Sequence, residues 1–341
     1  MLITDFRQAI KDYSHEELVS LASELYKAMP KKLKEEKAID YMVSNFRTAP
    51  KAGKASPKSV EIDFFNLQLD VEEFVSDAMA QYYFAPNRVI SKSKRPKWRF
   101  IVKQFVKDLQ TIPVDSENGE EATNLLCSLY RTMQHGCCYW IFSSDHPFST
   151  MGIDQTVFLS MILERWFRQV VTAETMKDAI LLAVSGGLDR ETYHMSLLHV
   201  LVGFLTTVDR KEMAIKQVES LVADAGVKIS QLTKFKNVSY QLDLDLFLKK
   251  DEIDKLSELG FLIYLALHDV QKAIAFYKKH QPEQNTEIRL YVMLYMLQRQ
   301  GLVNEWMDLY EKEEANGVEP RESLVEKRHY IRENDAFPEW M

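Results

Sequence analysis

At 341 residues the chain is long for one compact core, so it should form two domains or one elongated stack of layers. Its 46% hydrophobic and 27% charged content is that of a soluble globular protein, and 11 Gly with 10 Pro are too few for a turn-rich all-β fold. A net charge of −7 is unevenly spread: residues 1–110 hold 19 Lys/Arg against 15 Asp/Glu (+4), the remainder 24 against 35 (−11). That asymmetry leaves open an acidic partner for the first third or an attraction between the two parts.

The first residues, MLITDFRQAIKDYSHEE, lack the basic start, apolar run and small-residue cleavage site of a secretory signal. The longest apolar run, 197–205, already includes His199 and Gly203 and falls short of the roughly 18–20 residues a membrane span needs. Three cysteines, two of them adjacent, make no disulfide framework. A cytoplasmic, reduced protein that does not enter a membrane is expected.

In chain order, a short helix is expected over 5–13. Ser14 followed by Glu17 forms a capping box, opening a helix with Leu18, Leu21, Ala22, Leu25 and Met29 on one face and Pro30 as its breaker. A charged helix over 32–47 follows. Residues 49–59 (APKAGKASPKS) form a flexible linker, after which Ser56-Pro57 opens a helix over 58–84 that Pro86-Asn87 ends. Beyond the basic loop 88–95, a helix over 98–109 puts Phe100, Ile101, Phe105 and Leu109 at core spacing.

A turn at 113–119 leads to a helical region over 120–142 and a loop over 143–152. Asp154 should cap a helix over 157–171 and Thr172 one over 174–184, which Gly186-Gly187 stops. Asp189 should cap a helix over 191–206. Asp209 with Glu212 should open one over 213–225, ended by Gly226. Gln241-Leu-Asp-Leu-Asp-Leu-Phe-Leu alternates as a strand does, but a lone strand has no partner here, so 227–250 reads as helix or irregular chain. Pro320 opens a last helix over 321–332.

The segment 260–316 repeats itself at an offset of 33 residues. Phe261, Ile263, Tyr264, Val270, Ala273, Ile274, Phe276 and Tyr277 fall opposite Leu294, Met296, Leu297, Val303, Trp306, Met307, Leu309 and Tyr310, with His268-Asp269 placed opposite Gln300-Gly301. This segment resembles tetratricopeptide repeats: Tyr264, Ala273 and Tyr277 fit that family's spacing of aromatic, small residue and aromatic. In the second copy Trp306 takes the small residue's place. The resemblance implies stacked helical hairpins that offer a groove to a protein or peptide. The expected organisation is therefore an N-terminal helical segment over 1–48, the linker 49–59, an irregular helical core over 60–250, and repeat-like pairs with a capping helix over 251–341. The fold class is all-α, stacked helical hairpins in an irregular α-solenoid with a short N-terminal helical subdomain.

Four patterns carry possible chemistry. Ala183-Val-Ser-Gly-Gly-Leu-Asp189 resembles the phosphate-binding loop of the ATP pyrophosphatase family, which implies backbone N–H groups closing on a pyrophosphate after a strand. Arg190 stands where that family has Ser, and residues 174–180 read as a capped helix. A plain helix-Gly-Gly-Asp-helix turn explains the same residues. His135, Cys137, Cys138 and His146 lack zinc-site spacing, so buried structural cysteines are expected.

His194 and His199 lie five apart, which does not match the metalloprotease helix and suggests core or interface histidines. Lys92, Lys94, Arg95, Lys97, Arg99 and Lys103, interleaved with Trp98 and Phe100, could hold phosphates of a nucleic acid or another polyanion. No cofactor, metal ligand or catalytic residue is nominated. The function expected is a non-enzymatic interaction module or adaptor. Polyanion binding is the alternative, and an enzyme without a recognisable motif comes third.

Overall fold

The computed structural model describes residues 8–30, 34, 39, 43, 63–236, 238–281 and 284–338. Among these it contains 14 α-helices, one 3-10 turn and no strand. The all-α class follows directly. The chain divides into two units, Met1–Ile62 and Asp63–Met341.

In the first unit, α1 (His15–Ala28) is closed by the expected capping box, with Glu17 N donating to Ser14 Oγ at 3.3 Å and Ser14 N to Glu17 Oε2 at 2.7 Å. Its apolar side chains are not buried: Leu18, Val19, Leu25 and Tyr26 are all exposed. Residues 34, 39 and 43 are helical. The rest of the helix expected over 32–47, the linker 49–59 and the Ser56-Pro57 cap lie outside the described residues.

In the second unit, α2 (Phe64–Met79) starts at Asp63, whose carboxylate accepts from Asn66 N, and so begins later than expected. It also ends earlier than Pro86. Gln81 adopts φ 62° and the chain closes with Tyr82 N donating to Asp77 O and Gln81 N to Ala78 O, a left-handed helix stop that needs no proline. Asn87 instead ties the following loop, accepting from Val89 N and Ile90 N.

A 3-10 turn (Arg95–Lys97) leads into α3 (Trp98–Thr111). The buried stripe of α3 is Trp98, Val102, Val106 and Leu109, whereas Phe100 is 62% exposed, which corrects the expected core face. The Trp98 ring stacks on Phe142 at 4.1 Å, and this contact rotates Phe100 outward.

Next come α4 (Gly119–Gly136), α5 (Pro147–Met151), α6 (Gln155–Arg168), α7 (Ala173–Val184) and α8 (His194–Phe204). Thr172 caps α7 as expected, but Asp154 makes no side-chain bond at α6, and Asp189 does not cap α8. Asp189 faces α5 instead. Its Oδ2 accepts from Phe148 N at 2.8 Å and Ser149 N at 3.2 Å, and its Oδ1 accepts from Ser149 Oγ and Arg190 N.

Two long helices form an antiparallel hairpin: α9 (Val208–Thr233), capped by Thr207 rather than Asp209, and α10 (Tyr240–Ala266), capped by Ser239. At 1.5 Å per residue each runs about 40 Å. Gly226 lies inside α9 and does not end it. The alternating 241–248 stretch is helical, which settles that segment. Buried positions stop at Ala225 on α9 and resume at Leu246 and then Leu256 on α10, so the tip of the hairpin projects beyond the core.

The repeat-like segment forms two successive helical hairpins, the second half of α10 with α11 (Val270–His280), and α12 (Thr286–Arg299) with α13 (Val303–Ala315). Equivalent positions share their environment. Phe261 and Leu294, Ile263 and Met296, Ala273 and Trp306, Phe276 and Leu309, and Tyr277 and Tyr310 are buried pair by pair.

Both first helices stop the same way. Asp269 N donates to Tyr264 O and His268 N to Leu265 O, while Leu302 N donates to Leu297 O and Gly301 N to Gln298 O. His268 (φ 59°) therefore matches Gly301 (φ 71°), one residue away from the pairing expected at the turn. Lys278 Nζ bonds Glu313 Oε1 at 2.6 Å and ties α11 to α13. The final helix, α14 (Glu322–Asn334), covers the end of the stack through Arg328–Glu314, Arg332–Glu311 and Lys327–Gln298.

The His268/Gly301 equivalence gives an expected result. An exposed residue other than Gly in left-handed geometry costs about 1 kcal/mol. His268→Gly should therefore raise the stability of the protein by about 1 kcal/mol, read as a higher denaturant midpoint at constant slope. Gln81→Gly should gain less, because the Gln81 side chain also donates to Trp140 O at 3.2 Å.

Candidate functional site

The fold brings two of the sequence patterns together. Gln134 is buried at the C-terminal end of α4, and its Nε2 donates to Leu182 O at 3.2 Å and Ser185 O at 2.7 Å. Gln155, fully buried on α6, donates to Gly187 O at 3.1 Å and accepts from Asp189 N at 2.9 Å. The Ser185–Asp189 turn is thus pinned from both sides by buried side-chain amides, with both polar groups of Gln155 bonded to it.

The glycines follow from this packing. Gly186 has φ 80°, and a Cβ on Gly187 would lie 2.6 Å from Cys138 Sγ and 2.7 Å from Gln134 O. Ile180–Leu182 lie inside α7, so the strand that a pyrophosphatase loop requires is replaced by a helix. The motif is a helix–helix turn pressed onto α4.

That turn forms one wall of a cleft of 840 Å³. His135, Cys138 and Tyr139 at the end of α4 continue the wall, and the projecting α9–α10 hairpin faces it. Along α10, Tyr240, Leu244 and Leu248 recur every four residues and line the cleft, with Leu232 of α9 beside them. Tyr240 is 82% exposed, and Leu248 and Phe247 are exposed as well. The charged side chains of this wall are largely paired within α10, Lys255 with Asp251 at 2.7 Å and Lys249 with Glu252.

Cys138 is exposed at the cleft and Cys137 half-buried, which corrects the expectation that the cysteines are buried; only Cys127 is. Burial raises the Cys138 thiol pKa, against a smaller opposing effect of Lys255. Burial lowers the pKa of His135, whose ring stacks on Tyr139 at 4.3 Å. Both shifts run opposite to those of an activated thiolate–imidazolium pair. Among the described residues no group of three His, Cys, Asp or Glu side chains converges as a metal site would.

His194 and His199 separate in the fold. His194 Nε2 meets Glu258 Oε2 at 2.6 Å, and that hydrogen bond raises its pKa. Burial and then Arg299 lower the pKa of His199. His194 with Glu258 therefore tethers α8 to α10, and the two histidines do not share one centre.

The basic run lies on a different face of this unit. Lys92, Lys94, Lys97, Arg99 and Lys103 are exposed, while Arg95 is half-buried and donates to Ile90 O at 3.1 Å and Asn87 O at 3.3 Å, holding its own loop. Lys103 Nζ lies 3.5 Å from Gly152 O, and the Arg99 guanidinium lies over Phe100.

One side of the cleft, the Ser185–Gly187 turn with His135 and Cys138, comes from patterns the sequence singled out, whereas the α10 side was not nominated. The signal was there in Tyr240, Leu244 and Leu248 at helical spacing, hidden by a two-residue alternation that fits a strand equally well. No family model, no curated protein and no solved structure matches the chain. Among the described residues no helix is long and apolar enough to cross a membrane.

Proposed function

We propose that this protein is a non-enzymatic interaction module whose α9–α10 hairpin and α4/α7 turn together hold an apolar helix of a partner protein. The supporting observation is the row Tyr240, Leu244 and Leu248, which leaves an apolar stripe uncovered along an open cleft. The wall from Tyr240 to Lys255 runs about 22 Å, enough for four turns of a docked helix. Apolar anchors at i, i+4 and i+8 on the partner would complement it. The C-terminal hairpins extend this reading to a tetratricopeptide-like adaptor, with the stack as scaffold. Three free cysteines suit a reducing, cytoplasmic setting.

The test is selection of helical peptides from a random display library on the folded protein, followed by polarisation measurements. Selected peptides should share apolar residues at helical spacing. Leu248→Glu with Tyr240→Ala, both at exposed positions, should weaken them by about tenfold or more. Bound peptide should also slow modification of Cys138 by a thiol reagent. Enriched peptides that bind the double variant unchanged would place the interaction elsewhere and sink the cleft reading.

A further inference from the structure

The outward face of α3 carries a second surface. Phe100, 62% exposed, and the half-buried Ile101 and Phe105 form the floor of a shallow depression of 580 Å³, with Lys94 and Lys97 at its edge. The floor continues past Ile101 and Phe105 into a second depression of 300 Å³ that α2 borders with Asp70, Glu73 and Asp77. Those three carboxylates, spaced i, i+3 and i+7, lie along one side of α2. Lys94, Lys97, Arg99, Asp70, Glu73 and Asp77 form no ion pair with another described side chain. Apolar floor, cationic edge and anionic edge are contiguous.

Two oppositely charged edges, with Lys94 bordering both depressions and Lys97 only the first, decide what fits. A nucleic-acid backbone attracted by Lys94 and Lys97 would meet three carboxylates within the same groove, and like charges brought together disfavour that partner. A protein helix can present different charges along its two flanks. Burial, with Glu73 second, raises the pKa of Asp77, so a cation brought beside it is favoured.

We propose that the groove between α2 and α3 docks an amphipathic helix of a partner protein, apolar beneath, acidic along the flank over Lys94 and Lys97, and basic along the flank over Asp70, Glu73 and Asp77. Two to three turns of partner span the floor from Lys97 to Phe105, which is about 12 Å long. Phe100 is the anchor, because it is the large aromatic standing clear of the surface. This surface is separate from the α10 cleft and does not depend on it.

The test uses three labelled helical peptides with the same apolar stripe: one flanked by Glu on one side and Lys on the other, one by Glu on both, one by Lys on both. A single-stranded oligonucleotide is the fourth probe. The mixed peptide should bind tightest, and Phe100→Asp should weaken it by about tenfold or more while circular dichroism stays unchanged. Lys94→Glu with Lys97→Glu should move the preference to the Lys-flanked peptide, and Leu248→Glu should leave all of this intact. Tighter binding of the Glu-only peptide or of the oligonucleotide, falling steeply with salt, would overturn the proposal in favour of a polyanion site. Binding of the mixed peptide unaffected by Phe100→Asp, or no peptide binding at all, would overturn it outright.

Discussion

Arg165→Met is expected to lower the stability of the protein by about 3 kcal/mol or more. Arg165 is 5% exposed and pairs with no carboxylate among the described residues. Its guanidinium donates to Thr123 Oγ1 at 2.8 Å, Ile112 O at 2.9 Å and Gly119 O at 3.0 Å. The 112–119 turn is too tight to turn those carbonyls elsewhere: a Cβ on Gly119 would sit 2.0 Å from Val114 O. Methionine fills the space of the arginine stem but removes three hydrogen bonds from a charged donor: Ile112 O and Thr123 Oγ1 lose the guanidinium, and Gly119 O keeps the Thr123 hydroxyl at 2.9 Å. Each hydrogen bond to a charged group contributes about 1.5–3 kcal/mol.

Arg168→Met, one helical turn along the same helix, is the control. Arg168 pairs with Glu164 in solvent, and removing such an exposed pair should change stability by less than about 0.5 kcal/mol. Denaturant midpoints of the two variants, compared at constant slope, give the answer. Equal and small changes in both would show that the guanidinium does not hold the turn.

Arg165 also shows what the sequence could and could not reveal. The turn at 113–119 was legible, because Pro and Gly punctuate it locally, and so were the capping box at Ser14 and the cap at Thr172. Each of these is decided within a few residues. An arginine in an amphipathic helix carries no mark that distinguishes it from a solvated one, since its acceptors lie 42 to 53 residues away in sequence. Asp189 failed for the same reason: its chemistry is that of a helix cap, but the amides it accepts from belong to α5, 40 and 41 residues earlier.

The candidate cleft was hidden by a different ambiguity. Residues 241–248 place Leu at every second position with Phe247 added between the last two, and in a helix that spreads them round the axis. Leu246 then turns inward and is 7% exposed, Leu244 and Leu248 line the cleft, and Phe247 points to solvent at 65% exposure. A period-based reading expects one apolar face. A helix with apolar residues on three sides fits no one-face pattern, and the outer ones, Phe247 and Leu248, stay exposed. On α3 the error ran the other way: both Phe100-Ile101-Phe105 and Trp98-Val102-Val106 have helical spacing, and the stacking of Trp98 on Phe142 selects the second. The surplus apolar set left outside is the surface for which a docking role is proposed.

The second large effect is expected at Gly260, one of the positions where the two repeat-like hairpins differ in bulk. A Cβ there would lie 2.1 Å from Phe276 Cε1 and 2.7 Å from Phe276 Cδ1, inside a site where Phe276 is 5% exposed. Gly260→Ala gains about 1 kcal/mol of helix propensity, yet overpacking of this severity costs about 3 kcal/mol or more, so a net loss of about 2 kcal/mol or more is expected.

In the second hairpin, 33 residues on, the corresponding positions are Met293 and Leu309, both buried. The bulk has moved from the second helix of the pair to the first. If the hairpins are two versions of one packing arrangement, Phe276→Leu should relieve Gly260→Ala. The double variant should then be more stable than the sum of the single losses by more than about 1 kcal/mol. Strict additivity would mean that the ring of Phe276 is not what requires glycine at 260, and that the 33-residue correspondence does not extend to the packing between the helices.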